Sequence, residues 1–107
     1  NELGSAMQAG LQPVILIVNN STYGTIRMHQ ERHYPERVSG TELANPDFVT
    51  LAKAYGFYGE RVEKTADFAD AFARALASDT GAVLDLVIST EAITPRQTID
   101  DLRRANP

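Results

Sequence analysis

Cysteine is absent from all 107 residues. Disulfides, thiolate metal sites and a cysteine nucleophile are thereby excluded. An excess of basic charge is missing too: ten basic residues stand against fourteen acidic ones, a net charge of −4. That balance argues against a broad nucleic-acid surface. No apolar run approaches the length of a transmembrane helix and no segment has the pattern of a signal peptide, so a cytoplasmic protein with no membrane partner is expected. Repeats and low-complexity segments are also lacking. The chain does not begin with methionine. Asn1-Glu2-Leu3-Gly4-Ser5-Ala6-Met7 reads as the inside of a helix already under way, and the chain is expected to be part of something longer. What is present is 43% hydrophobic and 22% charged, the balance of a soluble globular domain. One hydrophobic core fits in this length, with little margin.

The stretch Gln12 to Ile26 holds the strongest local signal. Val14 to Val18 is an apolar, β-branched run without alternation, which predicts a parallel strand covered on both faces. Asn19 and Asn20 follow at its carboxyl end, where open α/β sheets bind ligands. They are equally a simple turn, since asparagine tolerates turn backbone. Ser21 and Thr22 are helix-capping types, and a polar helix is expected from about Ser21 to Tyr34 with Tyr23, Ile26 and Met28 as a partial apolar face.

Before this stretch, residues 1–10 read as a helix with Leu3, Ala6 and Met7 on one face and Gly10 as its stop. After it, Pro35 to Leu43 reads as an irregular connection. Asn45-Pro46-Asp47 predicts a helix start, with asparagine as cap and proline at the first helical position. Phe48, Leu51, Ala52 and Tyr55 would be its buried stripe and Gly56 its end. Phe57 to Val62 is a short strand, and Thr65 is expected to cap a helix whose Phe68, Phe72 and Leu76 recur every fourth position as core. Ala82 to Ile88 is the last strand; its Asp85 is expected at a half-exposed edge position. Ser89 to Pro107 is a polar tail with a short helix over Gln97 to Ala105.

Strands separated by helices imply parallel pairing. The expected fold is α/β, a partial three-layer α/β/α sandwich with three parallel strands and an open upstream edge. That edge predicts self-association of the chain.

Glu2-Leu3, Gly10 to Pro13, Val18-Asn19-Asn20 and Tyr23-Gly24-Thr25-Ile26 together resemble the thiamine-diphosphate (ThDP) enzymes, in the acetolactate-synthase-like or 2-keto-acid-decarboxylase-like branch. Asn45-Pro46-Asp47-Phe48 and Ala92-Ile93-Thr94-Pro95 extend the resemblance to about Ile99. It implies the C-terminal part of the diphosphate-binding domain of a ThDP-binding fold over residues 1–107, with 90–107 as tail. The family motif opens with Gly-Asp-Gly, which would lie upstream of Asn1, and closes with Asn-Asn. By the same resemblance Asn20, through its side-chain oxygen, and Thr22, through its carbonyl, are magnesium ligands. Magnesium prefers such oxygen donors and shares its shell with carboxylates and phosphates. Tyr23, Gly24, Thr25 and Ile26 would line the cofactor. The implied activity is decarboxylation of a 2-keto acid or carbon–carbon bond formation, in a homodimer or homotetramer whose activating glutamate comes from another domain of a partner subunit. No catalytic residue is therefore expected here, and the chain alone is expected to be inactive, with weak or no binding of magnesium and ThDP.

Acetolactate synthases resemble Asn-Asn-x-x-Leu-Gly-Met-Val-x-Gln-Trp at this point. Here the methionine, glutamine and tryptophan positions are Thr25, Met28 and His29, which favours a decarboxylase or carboligase. Two other readings compete. His29 and His33 have a metal-clamping spacing, but His-Gln-Glu-Arg-His matches neither zinc-peptidase order and reads as two solvated histidines. A non-catalytic, flavodoxin-like regulatory or interaction module is the alternative function, since fold does not dictate function.

Overall fold

The computed structural model describes residues 1–105. The elements in order are α1 (Glu2–Gln8), β1 (Val14–Asn19), α2 (Gly24–His33), α3 (Phe48–Ala54), β2 (Tyr58–Val62), a 3-10 turn (Thr65–Asp67), α4 (Phe68–Ala77), β3 (Ala82–Val87) and α5 (Ile99–Arg104). They fall into two compact units. The first comprises Asn1–Asn19 with Pro46–Val87, and the second comprises Asn20–Asn45 with the described residues from Ile88 onward.

The first unit is an open sheet of three parallel strands in the order β1-β3-β2. Paired residues of parallel strands share a face, so the two faces can be read from the register. Ile15 and Ile17 lie level with Val83 and Asp85. On that face α1 and α3 pack through Leu3, Ala6, Ala52 and Tyr55, with Phe57 beneath them. Val14 lies level with Ala82. On this second face Ala71 and Ala75 of α4 meet Val62, Ala82 and Leu84, with Phe68 and Phe72 packed alongside. This is the expected α/β arrangement, with helices on both sides of a parallel sheet.

Several local expectations change once the strand order is known. Asp85 is not at an edge. It sits on the central strand and is completely buried. Conversely, β1 is an edge strand rather than one covered on both faces. Leu16 and Val18, on the α4 side, are 42% and 65% exposed, because α4 packs over β2 and β3 and leaves this flank bare. On α4 itself the small residues Ala71 and Ala75 make the closest approach to the sheet, while Leu76 points outward. Ala52 is the buried residue of α3, whose Leu51 remains exposed.

Helix starts also move. Asp47, not Asn45, caps α3, its carboxylate accepting the Thr50 amide at 3.0 Å. That bond and those of its first-turn neighbours hold the Asp47 carboxyl below its ordinary range. Thr65 opens a 3-10 turn, and α4 begins after it at Phe68. Gly56 does end α3, in the left-handed region at φ +82°, where a side chain would be strained.

In the second unit α2 begins at Gly24, three residues after the expected start at about Ser21, and Tyr23 rather than Ser21 stands at the cap position. α5 carries a capping box. The Thr98 hydroxyl accepts the Asp101 amide while the Asp101 carboxylate accepts the Thr98 amide. Glu31 of α2 is fully buried and receives a forked pair of bonds from Arg103 of α5, at 2.9 and 2.7 Å. Among the described residues no helix is long and apolar enough to cross a membrane.

Candidate functional site

The residues after β1 form a tight, pinned turn, and all of its members belong to the second unit. The Asn20 side-chain oxygen accepts the Thr22 amide at 3.2 Å. Ser21 between them takes a left-handed φ of 54°, uncommon for a residue with a side chain. Next, the Thr22 carbonyl accepts the Gly24 amide at 2.9 Å, with Tyr23 at φ −74° and ψ 75°. That is an inverse γ-turn, a compact bend suited to the start of a helix. Thr22 itself is buried.

A second segment clamps this turn. The Thr22 hydroxyl and the Tyr23 amide both donate to the Thr41 carbonyl, at 2.7 and 2.8 Å. The Leu43 amide donates to the Ser21 carbonyl at 3.0 Å, completing an antiparallel bridge between Thr22 and Glu42. Nothing in the irregular composition of Pro35 to Leu43 signalled this pairing.

Gly24 has a specific role here. A β-carbon at that position would stand 2.9 Å from the Asn20 amide nitrogen and 3.6 Å from Ile93 Cδ1. The missing side chain thus leaves room for the Asn20 amide to turn its oxygen toward the Thr22 amide. Thr25 and Ile26 follow in the first turn of α2, where backbone N–H groups have no upstream helical carbonyl and the dipole favours an anion. Tyr23 and Ile26 are more than half exposed. The six residues expected from sequence, Asn20, Thr22, Tyr23, Gly24, Thr25 and Ile26, are therefore contiguous on one turn and one helix start.

The donor set is compatible with a hard cation and an anion. An amide or carbonyl oxygen has two acceptor positions, so the internal bonds of Asn20 and Thr22 each occupy one and leave another. Both are the neutral oxygen donors that magnesium accepts. Among the described residues no three His, Cys, Asp or Glu side chains form a group that could hold a metal ion by themselves. His29 and His33 stack in parallel with centroids 6.4 Å apart, and both are exposed.

In the first unit, Asn19 is held separately. Its side-chain amide donates to Asp85 Oδ1 at 2.9 Å, and Arg61 Nε donates to Asp85 Oδ2 at 3.0 Å. A buried carboxylate without partners would cost several kcal/mol, and these two donors offset that. The lone acid inside an apolar strand was the available sequence signal. Its meaning depends on β3 being central.

Comparison with known proteins gives the arrangement its context. The family described as "Thiamine pyrophosphate enzyme, C-terminal TPP binding domain" matches residues 1–86. The catalytic subunit of mitochondrial acetolactate synthase from Saccharomyces cerevisiae is 43% identical over 83 residues, covering 78% of this chain and 12% of that protein. An acetolactate synthase of Mycobacterium bovis is 35% identical over 97 residues, covering 85% of this chain and 16% of its own length. The solved structure of a thiamine diphosphate-dependent 4-hydroxybenzoylformate decarboxylase from Rhodococcus jostii superposes with a TM-score of 0.70 at 36% identity, over 81% of this chain and 16% of that one. The chain thus spans a sixth or less of the length of these relatives. With the family profile covering most of its length and the sheet matching a solved member, the chain belongs to the thiamine pyrophosphate enzymes, within their C-terminal TPP-binding domain.

Proposed function

We propose that these residues serve an enzyme that uses ThDP and magnesium to break or form a carbon–carbon bond beside the carbonyl of a 2-keto acid. The observation that carries this reading is the Asn20–Gly24 turn, which puts two neutral oxygen donors at the start of α2 and keeps a β-carbon away from one of them. In this reading Asn20 Oδ1 and the Thr22 carbonyl are magnesium ligands, Tyr23, Gly24 and Thr25 line the diphosphate side of the cofactor, and Ile26 lies toward the reacting end and the substrate. When bound, the cofactor supplies an electron sink for the bond change. The work of this chain is to hold and orient: amides of the first turn of α2 neutralise phosphate charge, and the pinned turn presents the oxygen donors.

Thr25, Met28 and His29, standing where acetolactate synthases resemble methionine, glutamine and tryptophan, favour a decarboxylase or carboligase. The turn itself contains no carboxylate, so these 107 residues alone bind magnesium and ThDP weakly and are inactive. In the full-length protein the charge-neutralising carboxylate comes from elsewhere in the sequence. That protein is a cytoplasmic homodimer or homotetramer, and the bare flank of β1 makes this chain by itself self-associate.

Calorimetry on the full-length protein carrying these residues tests the reading. ThDP is expected to bind with magnesium and not with a chelator, and Asn20→Ala, which removes a ligand, is expected to weaken it at least as much as the roughly tenfold that loss of a group behind a ligand costs. At least one of a panel of 2-keto acids should release CO2 or yield a coupled product. Absence of magnesium-dependent ThDP binding would overturn it.

A further inference from the structure

Thr22 is 6% exposed and Thr41 1% exposed, so water cannot stand in for a lost bond between them. The Thr41 carbonyl receives two donors from the turn, the Thr22 hydroxyl at 2.7 Å and the Tyr23 amide at 2.8 Å. These bonds sit beside Ser21, whose left-handed backbone persists only where its surroundings hold it. The clamping segment is anchored a second time. The Gln30 side chain on α2 donates to the Ser39 carbonyl at 2.8 Å and accepts the Ser39 amide at 3.2 Å, acting as a one-residue strand partner. Residues 39–43 are thus tied to α2 at one end and to the turn at the other.

We propose that the Thr22 side chain is a positioning residue for the metal–diphosphate site. Its hydroxyl locks residues 39–43 onto the turn and thereby fixes the direction of the Thr22 carbonyl and the Asn20 amide. This rests on the function proposed above, which assigns those two oxygens to magnesium. Thr22 then carries two separate duties: its main chain offers the ligand and its side chain aims it. Thr22→Val keeps the shape and the carbonyl and removes only the aiming bond. Thr22→Ser keeps the bond.

The test is calorimetric titration of magnesium into the full-length protein at saturating ThDP, with a melting curve for each variant. Thr22→Val is expected to raise the magnesium Kd on the order of tenfold, the scale of lost support behind a ligand. Thr22→Ser is expected to restore binding to within about twofold of the unmodified protein, on the same scale. Val83→Ala, in the core of the first unit, is expected to lower the melting temperature without moving the magnesium Kd. A Thr22→Val protein that binds magnesium normally overturns the proposal, as does a Thr22→Ser protein as weak as Thr22→Val. It also fails if Val83→Ala weakens magnesium in proportion to its lost stability. If Thr22→Val does not fold, Gln30→Ala, at the exposed anchor, carries the test: a raised magnesium Kd supports the proposal and an unchanged one overturns it. Failure of the unmodified protein to bind magnesium with ThDP is a different result, and it overturns the functional reading together with this inference.

Discussion

At the scale of single residues, the proposed site depends on an atom that is not there. Gly24 has an ordinary helical backbone, so alanine is conformationally allowed and is the better helix former. The obstacle is the Asn20 amide nitrogen, 2.9 Å from where the new β-carbon would stand. Gly24→Ala is therefore expected to leave the melting temperature unchanged or slightly raised while displacing Asn20 and weakening magnesium-dependent ThDP binding about tenfold or more. Calorimetry beside a melting curve separates the two effects, and equal loss of stability and affinity would contradict this account. Asn20, Thr22 and Gly24 were singled out through the resemblance to a family motif, since the local pattern of Asn19-Asn20 reads equally as a plain turn; the structure places all three on one hydrogen-bonded turn. Thr41 was not legible. Its contribution is a main-chain carbonyl, which every residue has, so composition could not distinguish it. Asp85 lies between these cases, visible as an anomaly in Ala82-Val83-Leu84-Asp85-Leu86-Val87 but misplaced at an edge until the strand order was known.

At the scale of elements, α2 shows how a polar helix is anchored through a buried charge, whereas α5 buries an apolar pair, Ile99 and Leu102. Most of α2 is charged or polar, and its one fully buried side chain is Glu31. The forked bonds from Arg103, followed by the Glu36 amide and the more distant Arg27, hold the Glu31 carboxyl below its ordinary value of 4.5 despite burial. The carboxylate is thus more acidic in the folded chain than in the unfolded one. Its stabilising effect is complete above the unfolded value and fades as pH falls through the lower folded value. Glu31→Gln should cost about 2 kcal/mol at neutral pH, less than a fully buried pair because Arg103 stays 30% exposed. It should also remove this group's share of the acid sensitivity. Hydrogen exchange of α5 amides, measured at neutral pH and near pH 4, reads both effects. An unmodified protein whose α5 protection is the same at both, or a variant with an unaltered acid profile, would refute the assignment. The helices were all expected from the sequence, α2 and α5 without a periodic apolar stripe, yet their first residues moved by up to three positions. Caps are chosen by hydrogen-bond geometry among several eligible residues, as Asp47 over Asn45 shows.

At the scale of the whole chain, the sheet has two unpaired flanks among the described residues, and one of them is apolar. Leu16 and Val18 stand on β1 with no helix over them among the described residues. Lysine at both positions is expected to shift this chain from associated species toward monomer in light scattering, since charge on an edge strand blocks further pairing. A chain already monomeric at high concentration would contradict the proposed self-association. Fold class was readable because strands and helices alternate, but strand order was not, since no local pattern records which neighbour a strand will choose. That order has a temporal consequence. Among the described residues β1 and β2 are not paired with each other; each pairs with β3, Val14 with Ala82 and Asn19 with Val87 on one side. β1 and β2 therefore gain these pairings only once β3 has been made. The sheet then closes in one late, long-range step, the kind of pairing that is slow and leaves apolar chain open to chaperones in the meantime.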